Sequence, residues 1–368
     1  MTKTPVLLVG KFLNDPRGTP RVCEELASRL RSLGFPVLTT SHKLASMPLL
    51  LDMLSTVCRR RHEYSVAHVD VFSGQAFLWA EAACLALRSL GKPYVLTLRG
   101  GSLPNFARRW PRRTRKLLGS AVVVTTPSRY LLERMLPYRS DLLLQVNPIN
   151  LANYEFRPRS RPQPRLVWLR RFCEIYNPSL APRVIARLVP EFPSIHLTMF
   201  GPDWGDGSLQ RMESAARSLE VEARISLPGK VRKSDVSQSL QQGDIFLNTT
   251  NVDNTPVSVL EAMACGLCVV STNVGGIPYL LEHERDALLV PPDDPEAMAD
   301  AVRRILTEPG LADSLSRNAR RKVEQFDWSV VLPEWERLFC SVTQSRGVPE
   351  TCYRVGNKSL PAVSEEHI

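Results

Sequence analysis

The sequence predicts an α/β protein: two doubly wound parallel sheets, each with its own core, facing each other across a cleft. Three observations carry this. Short β-branched runs alternate with helical stretches through the first half of the chain and again through the second. Between the halves, Tyr154 to Leu166 (YEFRPRSRPQPRL) mixes prolines with basic residues, a composition that continues neither a helix nor a sheet and reads as a linker. At 368 residues and 43% apolar content, the chain is long enough for two domains of ordinary size.

In the first half, the apolar runs predict strands at Val6–Val9, Pro36–Thr39, Val66–Val69, Tyr94–Leu98, Ala121–Thr125 and Leu142–Val146. Helices are expected near 19–33, 46–60, 74–90 and 128–136. Ligands on doubly wound sheets bind at the C-terminal ends of strands, which directs attention to three loops. Lys11 to Pro20 contains Gly18-Thr19 just before a helix, where backbone N–H groups would face a phosphate or sugar, or where the glycine serves only a turn. Arg99-Gly100-Gly101-Ser102 follows the fourth strand, and Val146 to Asn150 follows the sixth.

In the second half, strands are expected at Arg165–Leu169, Ile195–Phe200, Arg224–Leu227, Ile245–Thr249, Leu267–Ser271 and Ala287–Val290. The domains therefore run 1–155 and 156–327. A helix at about 328–343 crosses back onto the first domain, and 345–368 lacks periodicity and reads as a disordered tail.

The chemistry concentrates in Gly243 to Leu281. After the strand from Ile245, a polar loop leads to a helix that Thr255 would cap, with Pro256 at its first position and Gly266 at its end. Asp253 closes the loop. Glu261 follows eight residues later, in a helix otherwise made of Val257, Val259, Leu260, Ala262, Met263 and Ala264. Such a helix is buried, and a buried carboxylate without donors costs ~1–3 kcal/mol or more. Sugar hydroxyls are suitable donors, while the N–H groups and dipole at the helix start suit a phosphate. This one element would hold a ribose at Glu261, a diphosphate at residues 255–258 through Thr255, Val257 and Ser258, and a second sugar at Asp253, with Asn254 also binding substrate. The plainer alternative pairs Glu261 with an Arg or Lys elsewhere.

The spacing of Asp253 and Glu261, followed by Ala-Met-Ala-Cys-Gly266 and then Val274-Gly-Gly-Ile-Pro278, resembles the retaining glycosyltransferases of family 4. The resemblance is close over the second domain and loose over the first. It implies the GT-B fold, two Rossmann-like domains facing across a cleft, and transfer from a nucleotide-diphospho-sugar to a glycan or lipid-linked acceptor, as in polysaccharide biosynthesis. It implies no metal and no cofactor. Arg170 and Arg171 would balance the leaving diphosphate, Asp253 would orient the donor sugar, and Lys230 would lie near base and phosphate. Four positions depart from the family pattern: Asp253 replaces Glu, Tyr176 replaces a Lys, Pro256 replaces a Gly, and Arg99 stands where a His is frequent. These departures keep a second reading open, a catalytically degenerate GT-B protein that binds a ligand or acts as a scaffold.

The scattered cysteines include Cys265-Gly-Leu-Cys268, which lacks a second pair and straddles a predicted buried helix end and strand; it reads as structural thiols. The net charge is +10. Basic residues bunch at 59–61 and at 108–116, around Trp110, a face that either meets an anionic membrane surface or is simply solvated. No aromatic stripe accompanies the charge, so nucleic acid is not expected as a partner. With no apolar run near the ~20 residues of a membrane span, the expected location is the cytoplasm, possible contact being with the inner face of its membrane.

Overall fold

The computed structural model describes residues 3–10, 12, 22–41 and 46–344. The expected loop glycine Gly18, its neighbour Thr19, and the expected tail at 345–368 lie outside these residues. The first domain runs β1 (Val6–Val9), α1 (Val22–Ser32), β2 (Val37–Thr39), α2 (Ser46–Arg59), β3 (Val66–Val71), α3 (Gln75–Ser89), β4 (Tyr94–Leu98), α4 (Leu103–Arg109), α5 (Pro111–Leu118), β5 (Val123–Thr126), α6 (Arg129–Met135) and β6 (Leu143–Leu144). The second runs β7 (Arg165–Leu169), α7 (Leu180–Leu188), β8 (His196–Phe200), α8 (Ser208–Ser218), β9 (Ile225–Gly229), α9 (Val236–Leu240), β10 (Ile245–Asn248), α10 (Val257–Cys265), β11 (Cys268–Thr272), α11 (Ile277–Leu280), β12 (Leu288–Val290), α12 (Pro295–Thr307) and α13 (Leu311–Val323). The last helix is α14 (Trp328–Thr343).

Among the described residues the strands form two parallel sheets, ordered β2-β1-β3-β4-β5-β6 and β12-β11-β10-β7-β8-β9. Each expected strand appears with its ends moved by two residues at most; Leu142–Val146 shortens to the two residues Leu143–Leu144. These strands are legible because helices cover both faces of a parallel sheet, so they read as continuous apolar runs. In each sheet the winding direction reverses once, between β1 and β3 and between β7 and β10. Crevices form at such reversals, beyond the carboxyl ends of the strands.

Two expectations need correcting. The basic stretch 108–116 is helical: α4 and α5 meet at Trp110 and anchor through buried Leu103, Ala107, Leu117 and Leu118. The dense charge masked that apolar spacing. The proline-rich stretch lacks regular structure, as expected, yet it is packed rather than free. Arg159 within it is 2% exposed and pairs with Asp244, Nε to Oδ1 at 2.8 Å.

The closing helix returns as expected. α14 buries Trp328, Val331, Trp335, Leu338, Phe339 and Val342 with residues of α1 and the first sheet. His68 of β3 lies beneath it, 5.1 Å edge-on to Trp335 and 2.7 Å from the Thr97 hydroxyl, and burial lowers its pKa to about 4. Among the described residues no helix is long and apolar enough to cross a membrane.

Candidate active site

The switch point of the second sheet places the end of β7 beside the end of β10. From β7 the chain passes directly into Arg170 and Arg171; from β10 it enters the loop to Asp253 and then α10. Eight of the nine residues of α10 are buried, Glu261 among them. The helix starts one residue later than expected. Pro256 is extended (φ −70°, ψ 114°) and precedes Val257, and no side chain caps the end, so the expected Thr255 cap is absent. The first intrahelical donor is Val259 N–H, bonded to Pro256 O at 3.2 Å. The N–H groups of Val257 and Ser258 precede it and carry the positive end of the helix dipole. The Ser258 hydroxyl is buried without a protein partner.

Glycines fix the loop against its neighbour. A Cβ on Gly276 would stand 1.8 Å from Asn254 O, and one on Gly275 would stand 2.2 Å from Asp253 O. Gly276 N–H donates instead to Asp253 O at 2.9 Å. The paired glycines thus hold the Asp253–Asn254 backbone in place.

The charged residues are paired. Arg170 forms an ion pair with Asp253 and lies over the Tyr176 ring at 4.7 Å. Arg171 lies over Trp204 at 4.5 Å and lines the cleft. Tyr176 therefore takes a different part from the Lys it replaces: it is a platform for Arg170. Glu261 accepts a hydrogen bond from the Tyr154 hydroxyl at 2.8 Å and pairs with Lys233. The plainer reading of Glu261, paired with a cation from elsewhere, is what the geometry shows. Burial, with Glu261 beside it, drives the Tyr154 phenol far above its ordinary value, so it remains a donor. Lys230 is exposed, whereas Lys233, three residues on, lines the cleft. Sequence reading stopped at the first lysine after β9; which one turns inward depends on the short helical turn Lys233–Asp235.

Across the cleft, Arg99 at the end of β4 donates to Asp70 Oδ1 at 2.6 Å and to Asn147 Oδ1 at 2.9 Å. The Asn254 side chain accepts from the Ser128 hydroxyl of the first domain, so it ties the two halves together. The cleft encloses about 930 Å³, walled by Asp70, Arg99 and Glu25 on one side and by Arg171, Lys233, Thr255, Val257 and Glu261 on the other. Cavities of this size accept ligands of drug or nucleotide dimensions.

The chain is similar to known proteins in sequence and in fold. Residues 155–322 match the family model of the glycosyl transferases group 1. The matched stretch contains the Arg170–Asp253 and Lys233–Glu261 pairs and α10. An exopolysaccharide phosphotransferase of Streptomyces coelicolor is 27% identical over 263 residues, 68% of this chain; the aligned part is only 26% of that relative. A D-inositol 3-phosphate glycosyltransferase of Saccharomonospora viridis is 24% identical over 312 residues, 76% of this chain and 72% of its own length. Anabaena HepE, solved with UDP and glucose, superposes with a TM-score of 0.71 at 15% identity, covering 90% of this chain and 98% of HepE. The fold is GT-B.

Proposed function

We propose that the protein is a retaining glycosyltransferase of the family 4 kind, taking a sugar from a nucleotide-diphospho-sugar, with uracil as the base. The observation that carries this is the coupling of each acid expected to bind a sugar to a cation, Asp253 to Arg170 and Glu261 to Lys233, beside an uncapped helix start. A nucleotide-diphospho-sugar brings what such a constellation exchanges: hydroxyls for the carboxylates and phosphoryl oxygens for the cations. Arg170, Lys233 and the N–H groups of Val257 and Ser258 would take the charge that develops on the leaving diphosphate. Asp253 would hold the donor sugar, Glu261 the ribose hydroxyls, and Arg99, fixed by Asp70 and Asn147, would face the acceptor. We assign none of this charge balance to a metal. Uracil is favoured by the UDP in HepE.

Thermal unfolding with UDP, GDP, ADP and CMP tests the donor. UDP at a hundredfold excess over its dissociation constant stabilises by ~2.7 kcal/mol, and UDP is expected to give the largest upward shift. A chain stabilised by none of the four would end the donor reading. Proton NMR of the transferred sugar then reports whether its anomeric configuration is kept.

We also assign the basic face of α4 and α5 to an anionic membrane surface, a reading supported by exposed Arg108, Arg109, Arg112 and Trp110. Arg113 is excluded because it is held by Glu81, Nε to Oε1 at 2.6 Å. Each basic residue at such a surface contributes ~1 kcal/mol. Replacing Arg108, Arg109 and Arg112 with Ser is expected to lower co-sedimentation with phosphatidylglycerol vesicles roughly hundredfold in partition coefficient at low salt. Equal sedimentation would return the face to solvent.

A further inference from the structure

The acceptor end of the cleft has a wall unlike its donor end. Leu49 and Met53 of α2, Ala76, Trp79 and Ala80 of α3, and Phe72 after β3 line the first-domain side of the same cavity that holds Glu261 and Lys233. Leu49, Met53 and Ala80 are nearly inaccessible, so this wall is part of the packed core and keeps its shape. None of the six side chains offers a hydrogen bond except the Trp79 indole N–H. A glycan lying here would leave most of its hydroxyls without partners, and each such loss weakens binding.

Charged groups on the first-domain side come from Glu25, Asp70 and Arg99. Asp70 and Arg99 are bonded to each other, with Asn147 completing the group. The apolar wall is built by α2 and α3, which pack against each other. The same helices expose Met47, Leu51 and Leu78, which are 66%, 62% and 51% exposed and lie outside the cavity lining. On α2, Leu49 is two residues from both Met47 and Leu51, so the lined wall and the exposed stripe occupy opposite faces of the helix.

We propose that the acceptor is amphiphilic: a hydroxyl-bearing polar head that reaches Asp70 and Arg99, and an alkyl chain that lies within the cavity along Phe72, Ala76 and Trp79. This rests on the transferase reading above and adds the chemical class of the acceptor. An alkyl chain gains from each methylene removed from water, about fourfold in affinity per methylene buried, while requiring no hydrogen bonds from the wall. A free glycan gains neither benefit.

The probes are decyl maltoside, kept below its micelle concentration, and maltose, which has the same head without the chain. Calorimetric titration of the full chain in the presence of saturating UDP is expected to show saturable binding of decyl maltoside at least a hundredfold tighter than that of maltose. Trp79→Gln is expected to weaken decyl maltoside at least tenfold and to leave the UDP-induced thermal shift unchanged. Ala76→Leu, which fills the groove instead of opening it, is expected to do the same; its smaller volume change keeps the test available should Trp79→Gln fail to fold. Two results would overturn the proposal: maltose binding as tightly as its decyl derivative, or both variants binding decyl maltoside as the unaltered chain does. The absence of a UDP-induced shift in the unaltered chain would instead count against the transferase reading, so the two failures are distinguishable.

Discussion

Arg170→Ala will lower sugar transfer by about two to three orders of magnitude, whereas Arg171→Ala will lower it by less than about tenfold. Loss of one fixed donor to developing charge costs ~10²–10³ in turnover, and the two arginines differ in where their charge lies. Arg170 meets Asp253 and rests on Tyr176, at the reversal between β7 and β10. Arg171 also lines the cleft, but it rests on Trp204, which is 61% exposed, so its guanidinium stays largely solvated. Steady-state transfer from the nucleotide sugar selected by the nucleotide panel measures both. Arg170→Ala also strands Asp253, so Arg170→Lys belongs in the series: it keeps the charge, loses the planar fork, and is expected to fall between. Should both alanine variants transfer at the full rate, the leaving diphosphate lies elsewhere and the reading of the second domain as an enzyme fails.

The same geometry predicts that adding the family's lysine back will not help. A Tyr176→Lys side chain would stand where a ring now lies 4.7 Å from the Arg170 guanidinium. Two like charges at that range repel, and the cation–π contact is lost. An exchange that looks restorative in the sequence is expected to be harmful in the structure.

That contrast marks the limit of what the sequence carries. Strand and helix alternation was legible because buried strands and amphipathic helices repeat over many residues. The start of α14 at Trp328, the glycines at 275 and 276, and the burial of α10 followed from local composition. The cations of the site were read less well, because each depends on which way one side chain turns. Lys230 and Lys233 are equally basic, and a single short turn decides which enters the cleft. Arg170 and Arg171 are adjacent on a chain leaving a strand, where successive side chains point to opposite faces. Tyr154 was read as the edge of a linker, yet its hydroxyl reaches Glu261, 107 residues away. The apolar acceptor wall was invisible for a different reason. Leu49, Met53 and Trp79 satisfy the ordinary spacing of helices packed on a sheet, and nothing local separates a core residue from one that lines a cavity.

Glu261→Gln will weaken UDP binding by roughly ten- to a hundredfold without unfolding the chain. Glu261 is 5% exposed and holds two partners, the Tyr154 hydroxyl at 2.8 Å and the Lys233 ammonium. Glutamine keeps the shape and still accepts from Tyr154, so packing survives. What it loses is the charge on the acceptor, and hydrogen bonds to charged groups contribute ~1.5–3 kcal/mol where neutral ones contribute about half as much. Lys233 is then left without its counterion, and a diphosphate supplies one. The two residues are therefore separable by ligand. If Glu261 holds the ribose, Glu261→Gln weakens uridine by at least as large a factor as UDP, because the freed Lys233 offsets part of the loss only for the diphosphate. If Lys233 turns to the diphosphate when the nucleotide enters, Lys233→Met weakens UDP at least tenfold and uridine hardly at all. Calorimetric titration of both variants with both ligands gives four numbers. Glu261→Gln binding uridine as tightly as the unaltered chain would remove the ribose from Glu261 and leave the Lys233–Glu261 pair as a purely structural bridge between α10 and the turn after β9.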